Sequence, residues 1–301
     1  MGVSLNENLI SVTERLRRAA RKAGRDPAEI TLIAVSKTVD AKLIKEAASY
    51  GVTSFGENYV QEAKAKIEKV KDRNIKWHYI GHLQKNKAKY AVELFDVIHT
   101  VDSLELAKEL SKRAKKALDV LIQVNITREK TKSGVDLDGA LKLARETSKL
   151  PNLRLRGLMT IGPMAEDPEM SRPYFVTLRR LAEHINKEHL PGVMLRDLSM
   201  GMSHDFEVAV EEGATMVRVG SAIFGARPGA ARPDKAQCEP KAQKAAAAKP
   251  AVKAGKQAGK PAKAAKKPAK AAPKAVKKPK AAKAKTKKAA VKKPAKKAKK
   301  R

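Results

Sequence analysis

The 301-residue sequence predicts an α/β fold, a (β/α)8 TIM barrel followed by a disordered basic tail. Three observations predict it. Eight short, apolar, β-branched segments alternate with stretches whose apolar residues recur at three- and four-residue spacing, the pattern of parallel strands joined by helical crossovers. The part of the chain with this pattern is about 230 residues long, close to what such a barrel needs. Polar residues and glycines collect just after the predicted strands, at the end where barrels place their sites.

The strands are expected at residues 30–36, 52–55, 77–80, 97–101, 120–126, 153–159, 194–200 and 216–219. Between them, Leu43, Ile44, Ala47 and Ala48 make one helical face. Leu104, Leu106, Ala107 and Leu110 make a second, opened by a cap at Asp102 or Ser103. Leu141, Leu143, Ala144 and Leu150 make a third, ended by Pro151. The helix after the last strand is hard to find, because Gly225, Pro228 and Gly229 interrupt it, and an additional helix from Asn8 to Ala23 is expected to take its place in the outer ring. An open doubly wound sheet is the alternative; the count of eight favours closure.

Charge divides the chain. From Lys235 to Arg301 there are 26 basic residues and one acid, Glu239, so +25 of the formal net charge of +33 lies there and +8 on the other 234 residues. The expected domains are a barrel over residues 1–230 and a Lys/Ala/Pro-rich tail over residues 231–301, with repeats such as Lys267-Pro268-Ala269-Lys270. The tail has no aromatics and too little apolar surface to offset its chain entropy, and its charges repel, so disorder is expected. Spaced lysines of this kind neutralise phosphates without reading bases, which makes non-specific nucleic acid, or another polyanion, the expected partner. A purely solubilising or localising extension is the other reading. Cys238 is the only cysteine, so no internal disulfide forms. No apolar run is long enough to span a membrane and the first 18 residues lack a signal-peptide block, so the protein is read as cytoplasmic.

Lys37 ends the first predicted strand, in Leu32-Ile33-Ala34-Val35-Ser36-Lys37. An amine at the crowded mouth of a barrel is partly desolvated, which makes it a better nucleophile toward aldehydes; a snorkelling surface lysine is the plainer reading. The Gly220-Ser221 turn after the last strand, and Gly201-Met202-Ser203 beside it, have the backbone N–H groups and hydroxyls that hold a phosphate, or else they cap the next helices. Arg218 alternates with Val217 and Val219; facing inward, its fixed charge would keep a heteroaromatic nitrogen unprotonated, and facing outward it would pair with a helix acid. The six histidines have no metal-ligand spacing, and His82 and His204, near strand ends, are given structural or water-facing roles. No metal site is expected.

Five ordered motifs then coincide: Ala34-Val35-Ser36-Lys37-Thr38, Phe55-Gly56-Glu57-Asn58-Tyr59-Val60-Gln61-Glu62, His78-Tyr79-Ile80-Gly81-His82-Leu83-Gln84-Lys85-Asn86-Lys87, Leu198-Ser199-Met200-Gly201-Met202-Ser203-His204-Asp205 and Val217-Arg218-Val219-Gly220-Ser221-Ala222-Ile223-Phe224-Gly225. Over residues 5–227 the chain resembles the pyridoxal phosphate homeostasis protein family. The resemblance implies a fold-type III barrel like that of alanine racemase, with pyridoxal 5′-phosphate held as a Schiff base on Lys37. It implies the phosphate at Ser203, Gly220 and Ser221, Arg218 near the pyridine nitrogen and Asn58 close to the cofactor. Lys132 also matches a family lysine, with no role assigned to it. The implied function is vitamin B6 homeostasis without catalytic turnover; an exposed attachment point adds the expectation of cofactor exchange with pyridoxal-phosphate-dependent apo-enzymes, and a monomer is expected. The racemase relatives add a β-rich domain and a dimer partner to complete two opposed proton-transfer groups; in this chain the barrel is followed by the tail instead. A weak amino-acid racemase and a nucleoid-associated DNA-binding protein are the alternatives. The tail itself departs from the family pattern.

Overall fold

A computed structural model describes residues 4–129, 132–163 and 165–225. The chain divides into two units, Met1–Gln237 and Cys238–Arg301, and the described residues belong to the first. The expected tail, and its boundary after residue 230, lie outside the described residues.

The eight strands are β1 (Thr31–Val35), β2 (Ser54–Glu57), β3 (Lys76–Tyr79), β4 (Val97–Val101), β5 (Leu118–Gln123), β6 (Leu153–Met159), β7 (Asp197–Met202) and β8 (Met216–Val219). They close into a barrel in sequence order, with every neighbouring pair parallel. Closure is made by β1 against β8, with Thr31 opposite Met216 and Ala34 opposite Val219. The predicted fold is therefore the one found. The β2 segment begins two residues later than expected and the β7 segment three residues later, because Val52 and Met194 lie in the approach loops and Met194 is exposed.

Helices α1 (Leu5–Lys22), α2 (Ala41–Ser49), α3 (Val60–Val70), α4 (Ala88–Leu94), α5 (Leu104–Arg113), α6 (Leu137–Thr147), α7 (Arg172–Lys187), α8 (Phe206–Glu211) and α9 (Ser221–Phe224) form the outer layer. Their starts obey local chemistry. Ser4 and Glu7 make a reciprocal capping box on α1, and Asp40, Ser103 and Asp136 cap α2, α5 and α6. Among the described residues a single turn, α9, follows β8, and α1 covers the ring there. Asn8 donates to the Ile223 carbonyl at 3.0 Å and Arg15 bonds Glu207 at 2.6 Å.

Two apolar clusters result. The larger lies between strands and helices and contains Ala34, Phe55, Trp77, Ile98, Val217 and Val219. A small one, Val97, Leu121 and Met159 with Ile161, is separate from it and occupies the barrel interior. The alternation of strand side chains divides the two. Most of the remaining interior is polar, and this positions the site.

Candidate functional site

Lys37 follows β1 in a tight turn, with the Val39 N–H donating to the Ser36 carbonyl at 3.0 Å. Thr38 has φ +63°, a left-handed conformation that is strained for a β-branched residue. The turn is held from beneath by charge. Lys66, on α3, is 7% exposed and donates to the Ser36 carbonyl, to Glu57 Oε1 at 2.8 Å and to Glu62 Oε1. The Ser36 hydroxyl donates to the same Glu57 oxygen at 2.6 Å, and Glu62 accepts from the Thr38 N–H. Burial pushes the Glu57 carboxyl above its usual range, against the pull of Lys66 and Ser36.

Half-buried Lys37 shares a cavity of about 320 Å³ with Thr38, Asp40, Gly220, Ser221 and Phe224. Ser203, after β7, reaches the same turn: its Oγ accepts from the Gly220 N–H at 3.1 Å and the Ala222 N–H at 3.4 Å. Four of the sequence-predicted residues are thus brought together. A Cβ on Gly220 would stand 3.3 Å from Val35 Cβ, so the missing side chain lets this turn sit against the end of β1.

Arg218 faces inward, which the sequence left open. It is 4% exposed, and its guanidinium donates to Ser199 Oγ at 2.7 Å and to the Thr160 carbonyl at 2.8 Å. Burial pulls it down to about 10, with Asp205 opposing, so it stays charged at neutral pH. Ser199 Oγ is also 2.9 Å from His99 Nδ1, and His99 Nε2 is 2.9 Å from His78 Nδ1. Burial pulls His78 down to about 4 and His99 well below its usual value, the latter assisted by His78 and Arg218. Both rings are neutral.

Asn58 stands apart. It lines a neighbouring cavity of about 350 Å³ with Tyr59, Tyr79, Gly81, His82 and Gln84, and its buried Oδ1 has no partner among the described residues. A Cβ on Gly81 would overlap the Asn58 carbonyl, so only glycine allows this approach. Lys132 bonds Glu129 at 2.7 Å and the Gly162 carbonyl at 3.1 Å. His82 and His204 are exposed, and His82 Nδ1 is 3.1 Å from Ser133 Oγ. Among the described residues no cluster of His, Cys, Asp or Glu has metal-binding geometry, and no helix is long and apolar enough to cross a membrane.

The sequence reading missed the Glu57–Lys66–Glu62 clamp and the His78–His99–Ser199 chain. A signal for the first was present: Val60, Ala63, Lys66 and Val70 share the buried face of α3, and a lysine on such a stripe needs a carboxylate.

The model of the alanine racemase N-terminal domain matches residues 8–228. The chain is 47% identical over 224 residues to the pyridoxal phosphate homeostasis protein of Aquifex aeolicus, covering 73% of this chain and 97% of that one. The chain belongs to the pyridoxal phosphate homeostasis protein family. The family member of Pseudomonas aeruginosa is 43% identical over 227 residues, covering 74% and 96% of the two chains. Among solved structures, PipY of Synechococcus elongatus, determined with PLP bound, superimposes with a TM-score of 0.63 at 38% identity, covering 71% of this chain and all of that one.

Proposed function

We propose that the chain binds pyridoxal 5′-phosphate at the C-terminal mouth of the barrel and serves vitamin B6 homeostasis as a carrier without catalytic turnover. The observation that carries this reading is the cavity that Lys37 lines together with the Gly220-Ser221 turn. The residues fit the group. Lys37 and a hydroxyl-bearing turn line one cavity, a buried cation, Arg218, stands two residues before that turn, and Asn58 Oδ1, buried with no partner among the described residues, belongs to the neighbouring cavity. When bound, the cofactor supplies an aldehyde that condenses with a primary amine and a ring that accepts electron density.

The chain's own residues do the rest. Lys37 provides the covalent attachment point, and the clamped turn limits its reach. Ser203 accepts two N–H bonds through Oγ and keeps its own hydrogen to donate to a phosphate oxygen. Arg218 supplies a fixed, buried charge that would hold a pyridine nitrogen placed beside it unprotonated. Lys37 and Asp40 are the charged residues lining this cavity, and Asp40 is occupied as the α2 cap, accepting from the Lys42 N–H at 2.8 Å. A second proton-transfer group opposed to Lys37 is needed for racemisation, and among the described residues the lining supplies no such group, which supports the carrier reading over the racemase one. The PLP-bound PipY relative supports the same cofactor.

We extend the proposal to a cytoplasmic monomer that passes the cofactor to apo-enzymes. Its barrel spans residues 1–230, and its tail, residues 231–301, binds nucleic acid or another polyanion non-specifically. The tail's +25 charge supports that last part. The test is an absorption spectrum of the purified protein with added cofactor, followed by borohydride reduction and peptide mapping. The expected adduct lies on Lys37 and is lost in Lys37→Ala. A colourless protein, or label spread over other lysines, overturns the reading.

A further inference from the structure

The opposite, N-terminal mouth of the barrel holds a second cavity, of about 450 Å³, which the proposed function does not use. The opening residues of six strands line it, among them Ser54, Lys76 and Asp197. Such an end ordinarily serves stability, yet this one is polar and carries both signs of charge. Lys76 opens β3 and Asp197 opens β7, and in a closed ring of eight strands these stand across from one another.

His78 forms part of the wall and is 2% exposed. Its Nδ1 is taken by His99, and its Nε2 is buried with no partner among the described residues. The proton on that nitrogen follows from the chain above it. Arg218 can only donate, so Ser199 Oγ accepts from it; the Ser199 hydroxyl is itself fully buried, and among the described residues His99 Nδ1 is the acceptor within its reach, which assigns its hydrogen there. His99 then donates from Nε2 to His78 Nδ1, and His78 is left with N–H at Nε2. A buried donor without an acceptor is costly and calls for a ligand or water to complete it. Asp197 likewise has incomplete compensation. Arg156 approaches it only to 3.4 Å, and burial pushes its carboxyl above the usual range. By contrast Asp119, also in the wall, is closely paired with Arg154 at 2.6 Å.

We propose that the N-terminal mouth of the barrel is a second binding site, for a small zwitterion whose carboxylate is received by Lys76 and the His78 ring N–H and whose ammonium group is received by Asp197. One wall offers donors and a cation, the facing wall an under-compensated carboxylate, and the volume admits a molecule of amino-acid size together with water. The hydrogen-bonded chain from His78 to Arg218 joins this site to the opposite mouth.

Calorimetric titration of the full chain with glycine and L-alanine tests this, with acetate and methylammonium as the two half-ligands. The expected result is saturable binding of both amino acids, with each half-ligand weaker by about tenfold or more. Asp197→Asn and Lys76→Met, checked for folding by circular dichroism, are each expected to weaken binding by about tenfold, while Lys37→Ala binds as the wild type does. No saturation below about 10 mM, acetate binding as well as glycine, binding indifferent to both mouth variants, or loss of the signal in Lys37→Ala would each overturn the proposal. The last outcome would assign the heat to amine chemistry at the other mouth.

Discussion

Two buried polar networks flank β1, and they handle charge in opposite ways. Outside the strand ring, Lys66 is set against Glu57 and Glu62, so the cation is bonded directly to carboxylates. Inside the ring, the Arg218 guanidinium bonds a hydroxyl and a carbonyl, and the two histidines beneath it are held neutral. The outer network fixes a backbone, since its partners include the Ser36 carbonyl and the Thr38 N–H on either side of Lys37. The inner one fixes a potential, because its single charge is not cancelled by a bonded carboxylate. A cation bonded to carboxylates suits a clamp; a cation bonded to neutral groups suits a site meant to act on a ligand's electrons.

The largest expected effect follows from breaking the clamp. Lys66→Met leaves Glu57 buried without its cation, and losing one member of a buried pair costs about 3–5 kcal/mol. Urea unfolding of the variant should show that loss. Protonation of Glu57 limits it, so the deficit should shrink at low pH. A variant as stable as the wild type would mean the outer network is not a clamp at all.

Acid separates the two networks next. His78 titrates near 6.5 when unfolded and about 4 when folded. Its contribution is therefore fully present above pH 6.5 and lost as the pH falls toward 4, about 3 kcal/mol in all. His99 acts in the same direction. Glu57, raised above 4.5 by burial, has the opposite sign: its contribution is complete below pH 4.5 and is lost as the pH rises through its native value. Stability should therefore rise with pH between 4 and 6.5, with the histidines outweighing the single carboxyl. Glu57→Gln, which removes the opposing contribution, should steepen that rise. An unchanged slope would show that the clamp does not titrate in this window.

Substitution of the inner charge is expected to cost less. Arg218→Met removes a desolvated cation, which is favourable, but leaves Ser199 Oγ and the Thr160 carbonyl without their donor, at about 1–3 kcal/mol each. Partial cancellation should leave a net loss smaller than that of Lys66→Met. NMR titration should also show the His99 imidazole moving upward, since Arg218 is one of the causes holding it down. Burial remains the larger cause, so it should stay below its ordinary value.

These networks also mark how far the sequence could be read. The barrel was legible because period-2 and period-3.6 patterns alternate eight times, and each pattern is local. Lys37, Gly220 and Ser221 were legible because strand ends in a parallel barrel share one mouth. Which face Arg218 takes was not, since Val217 and Val219 are buried against helices while Arg218 is buried inside, and alternation gives a phase without a sign. The His78–His99–Ser199 chain spans three strands, so no local window contains it. Asn58 was placed close to the cofactor by family resemblance alone; it lines the neighbouring cavity, and the approach of Gly81 to its backbone joins residues that follow two different strands, so no local window contains it.

The smallest expected effect tests the clamp from the backbone side. Thr38 is held at φ +63° between Lys37 and the α2 cap, a conformation that glycine adopts without strain. Its N–H bond to Glu62 does not require the side chain, so Thr38→Gly keeps the clamp and removes the strain. Against that, glycine gains more freedom in the unfolded chain, and the two terms nearly offset, leaving stability changed by no more than about 1 kcal/mol. The effect on function should be larger than the effect on stability. A looser turn lets the Lys37 amine sample more positions, so cofactor exchange into a trap protein should quicken while urea unfolding barely moves. If both change together, the strain at Thr38 is only a cost of folding; if exchange changes alone, the clamp sets the residence time of whatever Lys37 holds.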